Sequence, residues 1–208
     1  MADAITLNID TKGSIDEALQ ALRNVRGGAK QAIARALNKT AGTIKDTAAK
    51  EVSKAFVNIG EQSVKDGMRV SKATVSNASV TVTRKGPRFQ ARRFPIVENP
   101  SPGVRGSAAA AIRPRRSGGQ MTLGAEGKLS KAFMVRNTHG DVTRGSGLYR
   151  RIGNHRDRLT LARGLSVPDM LSEYDVRSAV EERAAARLQL ELDREIRTLL
   201  NKSEGAQS

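Results

Sequence analysis

Helix-forming patterns lie towards both ends of this chain, and the glycine-rich section between them lacks such a pattern. Apolar residues recur every three or four positions over residues 29–56 and 176–199, whereas residues 84–163 hold 11 of the 19 glycines. Glycine and proline end regular helices and favour turns, so this middle section predicts short strands joined by loops. The predicted fold class is α+β, with long helices in the N-terminal part, a small mixed or antiparallel sheet with long basic Gly-rich loops, and an amphipathic C-terminal helix.

The N-terminal part is predicted to begin with a strand and to continue with helices. Apolar and polar residues alternate over residues 5–10, which is the period of a half-buried strand. Residues 14–17 fit a capping box that begins a helix, and a glycine pair ends this helix before residue 29. A second, longer helix is predicted over residues 29–56, and a short helical piece over residues 61–68.

The basic middle section is predicted to contain several short strands. Alternating Val and Thr form one strand over residues 80–83, and short apolar pieces between turn signals form the others. These pieces are residues 94–97, 108–112, 121–123, 132–135, 148–149 and 159–161. We expect one domain over residues 1–208, made of the segments 1–74, 75–168 and 169–202.

The C-terminal helix is predicted from a long apolar stripe. The stripe consists of Val176, Val180, Ala184, Leu188, Leu192, Ile196 and Leu199. Opposite charges four residues apart support the helix on its exposed sides. Such a stripe requires a surface to cover, which is either the sheet of the same chain or a neighbouring subunit. The residues predicted to pack between subunits are Val180, Leu188, Leu192 and Ile196.

Positive charge is concentrated in the same middle section. Residues 84–163 hold 18 Lys and Arg against four acids, so they carry a net charge of +14 out of +15 for the whole chain. A concentrated positive field attracts polyanions or an acidic protein surface, and composition does not separate these two partners. The residues predicted to contact DNA or an acidic partner are Arg84, Lys85, Arg88, Arg92, Arg93, Arg105, Arg113, Arg115, Arg116, Arg150 and Arg151.

Composition restricts the class of protein further. The chain contains no cysteine, so a disulfide framework and a thiolate metal site are excluded. Its first residues lack the layout of a signal peptide, and no run approaches the roughly 18–20 apolar residues that span a bilayer. We therefore expect a soluble protein that is made in the cytoplasm and has no membrane partner. Only six residues are aromatic, which predicts a thin core and subunit contacts that share in its stabilisation.

The sequence contains no established catalytic or nucleotide-binding motif. We therefore expect no enzymatic activity, no cofactor and no small-molecule substrate. One pattern favours an alternative, because Glu98 followed by Glu126 and Lys128 is similar to the acidic residues and lysine of metal-dependent nucleases. In such sites carboxylates hold Mg²⁺ and the lysine steadies the attacked phosphate. The alternative function is thus a free, sequence-independent DNA-binding protein or a metal-dependent nuclease that uses Glu126 and Lys128.

Short segments in a fixed order resemble the prophage minor tail protein Z family. In the first half of the chain these segments are Arg35-Ala-Leu-Asn-Lys-Thr-Ala41, Glu51-Val-Ser-Lys-Ala-Phe56 and Met68-Arg-Val-Ser-Lys-Ala73. In the second half they are Gly147-Leu-Tyr-Arg-Arg-Ile-Gly153 and Gly164-Leu-Ser-Val-Pro-Asp-Met-Leu171. The resemblance covers residues 30–175, departs at Leu165, where the family often has proline, and is weakest over residues 103–128.

The resemblance implies a structural role in a phage particle. Members of this family are tail-completion or neck components of long-tailed phages and are related to head–tail joining proteins. The implied function is a subunit of a ring at the head-proximal end of the tail, with six-fold symmetry preferred. The implied partners are further copies of the chain, tail terminator, tail tube or neck proteins, and genomic DNA in the lumen. The implied location is the virion, after assembly in the host cytoplasm.

Overall fold

The computed structural model describes residues 3–7, 20, 28–99, 109–124, 131–135, 147–155 and 158–205. The helices in these residues are α1 (Ala29–Ala55), α2 (Glu61–Lys65), α3 (Val167–Ser172) and α4 (Tyr174–Gly205), with a 3₁₀ turn at Ala91–Arg93. The strands are β1 (Asp3–Leu7), β2 (Met68–Ser71), β3 (Thr81–Gly86), β4 (Ile96–Asn99), β5 (Ala109–Ile112), β6 (Met121–Thr122), β7 (Phe133–Val135), β8 (Gly147–Arg151) and β9 (Leu159–Leu161). The fold class is α+β, as the sequence predicts.

The strands form three small antiparallel sheets. In the first sheet β3 lies between β1 and β2, in the second β5 lies between β4 and β6, and in the third β8 lies between β7 and β9. Main-chain hydrogen bonds link the second and third sheets, from Ala110 N to Ala132 O (3.2 Å) and from Ala132 N to Leu123 O (3.0 Å). The strands are therefore antiparallel, which is one of the two predicted arrangements, and are distributed over three sheets.

The chain near Gly67 differs in detail from the sequence prediction. The helical piece predicted over residues 61–68 ends at Lys65, and Met68–Ser71 form β2, which the local pattern does not predict. Gly67 has a φ of 75°, in the left-handed region that favours glycine, and it turns the chain between α2 and β2. The helix predicted to begin at residues 14–17 lies outside the described residues, apart from Gln20.

The two long helices, α1 and α4, make an extensive contact with each other. Val180 is buried in one apolar cluster with residues of α1, and Leu188 and Leu192 are buried in a second one, with half-buried Ile196 packed against it. The sequence predicts these four residues for subunit packing, and within the single chain Val180, Leu188 and Leu192 are buried while Ile196 is half-buried. A subunit contact through the three buried residues would require the two helices to separate, and subunit packing through Ile196 stays a prediction.

Two buried glutamates on α4 are surrounded by cations from both helices. Glu191 lies 2.6 Å from Arg187 Nη2 and 3.0 Å from Arg194 Nη1. Glu195 lies 2.7 Å from Lys39 Nζ, and this hydrogen bond raises the pKa of Lys39. A carboxylate removed from water is costly unless it is paired, so these cations allow α4 to bury both acids against α1.

The short helix α3 begins with a capping box. Asp169 N donates to Ser166 Oγ at 3.2 Å, and Ser166 N donates to Asp169 Oδ2 at 2.8 Å, so two free amides at the helix start are satisfied reciprocally. Pro168 follows in the first turn, where a missing N–H costs nothing. Val167, Met170 and other apolar residues of α3 then enter the core. This helix is absent from the elements predicted from the sequence, although Ser166 followed by Asp169 is a recognisable start signal.

The apolar cluster that contains Phe94 and Ile112 leaves no space for a side chain at Gly164. Replacing Gly164 with alanine is expected to lower the free energy of unfolding by about 1–3 kcal/mol, the usual cost of overpacking a core. A Cβ added there would lie 2.8 Å from Phe94 Cε2 and 3.0 Å from Ile112 Cδ1, closer than carbon atoms pack. Urea denaturation at equilibrium measures the change.

Gly42 provides a control of opposite sign for this substitution. It is exposed within α1, and an added Cβ would meet nothing within 4 Å. Gly42→Ala is therefore expected to raise the free energy of unfolding by about 0.5–1 kcal/mol, because alanine costs less conformational entropy in a helix. A stabilising effect of Gly164→Ala would contradict the close contact with Phe94.

Candidate basic interface

The basic residues predicted as partner contacts differ widely in exposure. Lys85, Arg92, Arg113 and Arg116 are exposed, Arg88, Arg93, Arg115 and Arg151 are half-buried, and Arg84 and Arg150 are buried. Arg105 lies outside the described residues, as do Glu126 and Lys128 of the alternative nuclease site. The structure thus separates cations that face solvent from cations that are used within the fold.

Arg84 lies in the interior because it shares one face of β3 with Val82. Residues two apart in a strand point to the same side, and this strand buries Val82, Arg84 and Gly86. The guanidinium donates to the carbonyl oxygens of Ser63 (3.5 Å) and Lys85. Desolvation lowers the pKa of Arg84, because burial penalises the charged form. This placement favours a structural role for Arg84.

Arg150 and Arg151 lie on opposite faces of β8. Arg150 is on the same face as the buried Leu148, and its guanidinium donates to the carbonyl oxygen of Gly124. Arg151 lies on the other face, with its guanidinium carbon 5.1 Å from the centre of the Phe133 ring. The two adjacent arginines therefore have different environments, and Arg150 connects β8 to the chain segment that follows β6.

Arg115 joins the end of α1 to the start of α4. Its Nη1 lies 3.3 Å from Glu173 Oε2, and its Nη2 forms an ion pair with Asp175. Its guanidinium carbon also lies 5.5 Å from the centre of the buried Phe56 ring. Main-chain hydrogen bonds hold the same turn in place, including one from Arg116 N to Ala55 O (2.9 Å). Within one chain, Arg115 is thus paired with Glu173 and Asp175.

Four other arginines line an open hollow, which we call the arginine depression. Its lining residues are Arg88, Phe89, Gln90, Arg92, Arg93 and Arg163. They come from two antiparallel segments whose main chains bond to each other, from Phe89 N to Leu165 O (3.0 Å), from Ala91 N to Ala162 O (2.9 Å) and from Gly164 N to Phe89 O (2.8 Å). These bonds place Arg163 beside the arginines of the 3₁₀ turn.

Arg93 is held in one orientation at the wall of the depression. Its Nε donates to Asn58 O at 2.9 Å and its Nη2 to Ser63 Oγ at 3.4 Å, while Asn58 Nδ2 donates back to Arg93 O at 2.9 Å. The guanidinium carbon also lies 4.5 Å from the centre of the Phe89 ring. A partner that binds Arg93 therefore meets a side chain that has already lost most of its rotamer freedom.

Sequence reasoning missed Arg163 as a member of this group. Its Nη1 donates to Arg88 O at 3.4 Å, across 75 positions of the chain. No local pattern connects Arg163 with residues 88–93, because the pairing of the two segments brings them together. The available signal is the position of Arg163, two residues after the strand predicted over residues 159–161.

The fold and its surface define a class of protein. No group of three or more His, Asp or Glu residues that could hold a metal ion occurs in the part of the chain that the structure describes. None of the helices in that part has both the length and the hydropathy needed to span a bilayer. Exposed cations on turns and strand ends of a small α+β fold are suited to binding an acidic surface or a polyanion. These features are typical of a basic binding or assembly protein.

The chain belongs to the prophage minor tail protein Z family. The family model described as Prophage minor tail protein Z (GPZ) matches residues 11–202, which is nearly the whole chain. The protein is therefore a phage minor tail protein with a structural role in the virion, and the resemblance seen in the sequence is confirmed. No curated protein and no solved structure is significantly similar to the chain.

Proposed function

We propose that this protein is a tail-completion or neck subunit that forms an oligomeric ring at the head-proximal end of the tail and helps to join tail to head around the DNA path. Family membership supports a structural place in the tail. Six-fold symmetry is preferred, because the tail tube that the ring would contact is six-fold. The proposed partners are further copies of the chain, tail terminator, tail tube or neck proteins, and genomic DNA in the lumen. Assembly takes place in the host cytoplasm.

The turn that bears Arg113 and Arg116 supports this proposal in addition to family membership. The exposed cations Arg113 and Arg116 extend from a turn whose main chain is firmly held, through hydrogen bonds from Arg113 N to Pro95 O (2.8 Å) and from Arg116 N to Ala55 O (2.9 Å). A rigid turn presents its side chains at a smaller entropic cost on binding than a loose loop does. Such a turn is suited to a permanent joint between subunits.

Charge reversal on this turn tests the proposal. Arg113→Glu/Arg116→Glu is expected to reduce the number of head-joined tails at least about tenfold, because like charges placed across an interface cost several kcal/mol. Head-joined tails are counted in electron micrographs of phage complemented with the variant. Lys50→Glu/Arg197→Glu makes the same change in net charge at two exposed positions on the long helices and should assemble like the parent.

The ring itself is tested on the unmodified protein. Native mass spectrometry of the full chain with its tail partners is expected to show a closed oligomer, and a map of the assembled tail is expected to contain it at the end next to the head. Detection of an isolated monomer alone, together with its absence from the particle, would refute the proposal. Mg²⁺-dependent cleavage of DNA that is lost in Glu126→Ala and Lys128→Ala would favour the nuclease alternative.

A further inference from the structure

We infer that the arginine depression is a preformed binding site for the carboxylates of an acidic segment on a partner protein. The inference rests on the proposed function, because it gives the chemistry of one joint that a tail subunit would make. The observations that support it are the rigid frame of the depression, the positive charge of Arg92, Arg93 and Arg163, and the concave shape.

The frame of the depression is anchored in the core. Ala91 and Ala162 lie in its two paired segments and are at most 1% exposed, and Phe94 directly after Arg93 is 2% exposed. Gly164 packs against the Phe94 ring from the opposite segment, with no room for a side chain. The arginines are therefore mounted on backbone that cannot shift without disturbing the core. A rigid frame of this kind retains its geometry in the absence of a ligand.

The positive charge of three arginines in the depression, Arg92, Arg93 and Arg163, is not compensated by an ion pair among the described residues. Arg93 and Arg163 donate to neutral carbonyl and hydroxyl oxygens, and neither they nor Arg92 forms an ion pair within the described residues. Arg88 Nε lies 3.8 Å from Asp169 Oδ2, but this carboxylate also accepts the capping-box hydrogen bond from Ser166 N. Three guanidinium groups of the depression, those of Arg92, Arg93 and Arg163, thus lack an ion pair in the part of the chain that the structure describes, and an incoming anion would be attracted strongly.

The chemistry of guanidinium groups restricts the ligand to carboxylates or phosphates. An arginine presents two parallel N–H donors, which match the two oxygens of either group. Arg93 is held by its Nε and Nη2, so its Nη1 remains available for a ligand oxygen. Phe89 lies beneath the guanidinium of Arg93, and this cation–π contact helps to fix the orientation of the remaining donor.

The shape of the depression favours a protein segment over duplex DNA. The hollow has a volume of about 590 Å³, which receives a few side chains of an extended segment. A duplex, by contrast, binds along a surface of roughly 1,000–2,500 Å² and offers phosphates on a convex rod. Under the proposed function DNA must also move past the ring, and every phosphate held adds affinity that opposes this movement. A fixed acidic segment has no such requirement.

Peptide binding to the full-length protein tests the inference. A fluorescent Glu-Gly repeat peptide is the probe, and anisotropy at physiological salt measures its Kd. Arg92→Gln/Arg163→Gln is expected to weaken binding about tenfold or more, which corresponds to about 1.4 kcal/mol or more, because two charge-assisted contacts are lost. Both side chains are exposed, so the variant is expected to fold. The Gln-Gly counterpart of the peptide is expected not to bind.

Two further variants separate a specific site from general charge. Lys50→Gln/Arg197→Gln removes the same net charge elsewhere and should leave the Kd within about twofold, because exposed charges contribute little at a distance. Arg93→Lys keeps the charge but removes the Nη1 donor and the hydrogen bonds to Asn58 and Ser63 that orient the guanidinium, and it should weaken peptide binding about threefold to tenfold. Equal losses in the two double variants would overturn the inference, as would full affinity in Arg93→Lys.

Duplex DNA is the second probe and reports the competing partner class. Loss of DNA affinity in Arg92→Gln/Arg163→Gln with unchanged peptide affinity would assign the depression to phosphate and overturn the inference. Native mass spectrometry of the same variants distinguishes the two proposals. Ring formation without peptide binding would refute only the acidic-segment site, whereas peptide binding by a permanent monomer would refute only the ring.

Discussion

Truncation of Phe94 to alanine is expected to lower the free energy of unfolding by about 3–5 kcal/mol, the usual cost of deleting a buried aromatic ring. The ring is 2% exposed and belongs to the larger apolar core. The surrounding chain cannot collapse easily into the cavity, because Ala91 and Gly164 on either side are held by main-chain hydrogen bonds between the two segments. Urea denaturation followed by circular dichroism measures the loss, which is a large part of the 5–15 kcal/mol (approximate range) typical of a domain.

The control for Phe94 is the same type of truncation at an exposed aromatic residue. Tyr174 is 86% exposed, and Tyr174→Ala should change the free energy of unfolding by no more than about 0.5 kcal/mol. Since Phe94 directly follows Arg93, the Phe94 variant should also bind the acidic peptide less tightly at temperatures where it is still folded. Similar stability of the two variants would show that the Phe94 ring is not packed as described.

Leu188→Ala is expected to lower the free energy of unfolding by about 2–5 kcal/mol. Leu188 is 1% exposed and lies in the second apolar cluster, with Ile33 and Leu37 of α1 and Leu192 of α4. Removing its side chain leaves a cavity between two helices whose separation is set by the neighbouring contacts. Urea and thermal denaturation measure the change, with the parent and the variant at the same protein concentration.

Leu190 on the same helix is the matched control for Leu188. It is 43% exposed, so Leu190→Ala should shift the free energy of unfolding by no more than about 0.5 kcal/mol if the helix lies as described. The pair also tests which face of α4 meets a neighbour in the virion. A variant that keeps full stability but loses assembly would identify Leu190 as part of a subunit contact, whereas a large stability loss at Leu190 would contradict the orientation of α4.

The long helices are predictable from sequence because their apolar period extends over many turns. The helix predicted over residues 29–56 is observed as Ala29–Ala55, and the stripe that begins at Val176 belongs to α4, which begins at Tyr174. Short elements carry too little pattern for the same argument. Helix α3 contains only six residues, with Pro168 in its first turn. Its few apolar residues fit a loop that packs into the core as well as they fit a helix.

The environment of each arginine in the basic section is predictable from the sequence only in part. Their charge does not distinguish buried arginines from exposed ones. The strand period does distinguish Arg84 and Arg150, because each follows a buried apolar residue by two positions. Arg115 cannot be recognised in this way, because Glu173 and Asp175 lie 58 and 60 residues further along the chain. The arginine depression has the same origin, since tertiary pairing alone brings Arg163 to residues 88–93.

The contact between α1 and α4 also has a consequence for how the chain folds as it is synthesised. Helix α1 ends at Ala55, whereas α4 begins at Tyr174, so the ribosome must make all the strands from β2 to β9 before the partner of α1 exists. During that time the alanine-rich face of α1 remains open to solvent or to chaperones. Emergence of the last helix is therefore the event that covers this face and closes the fold.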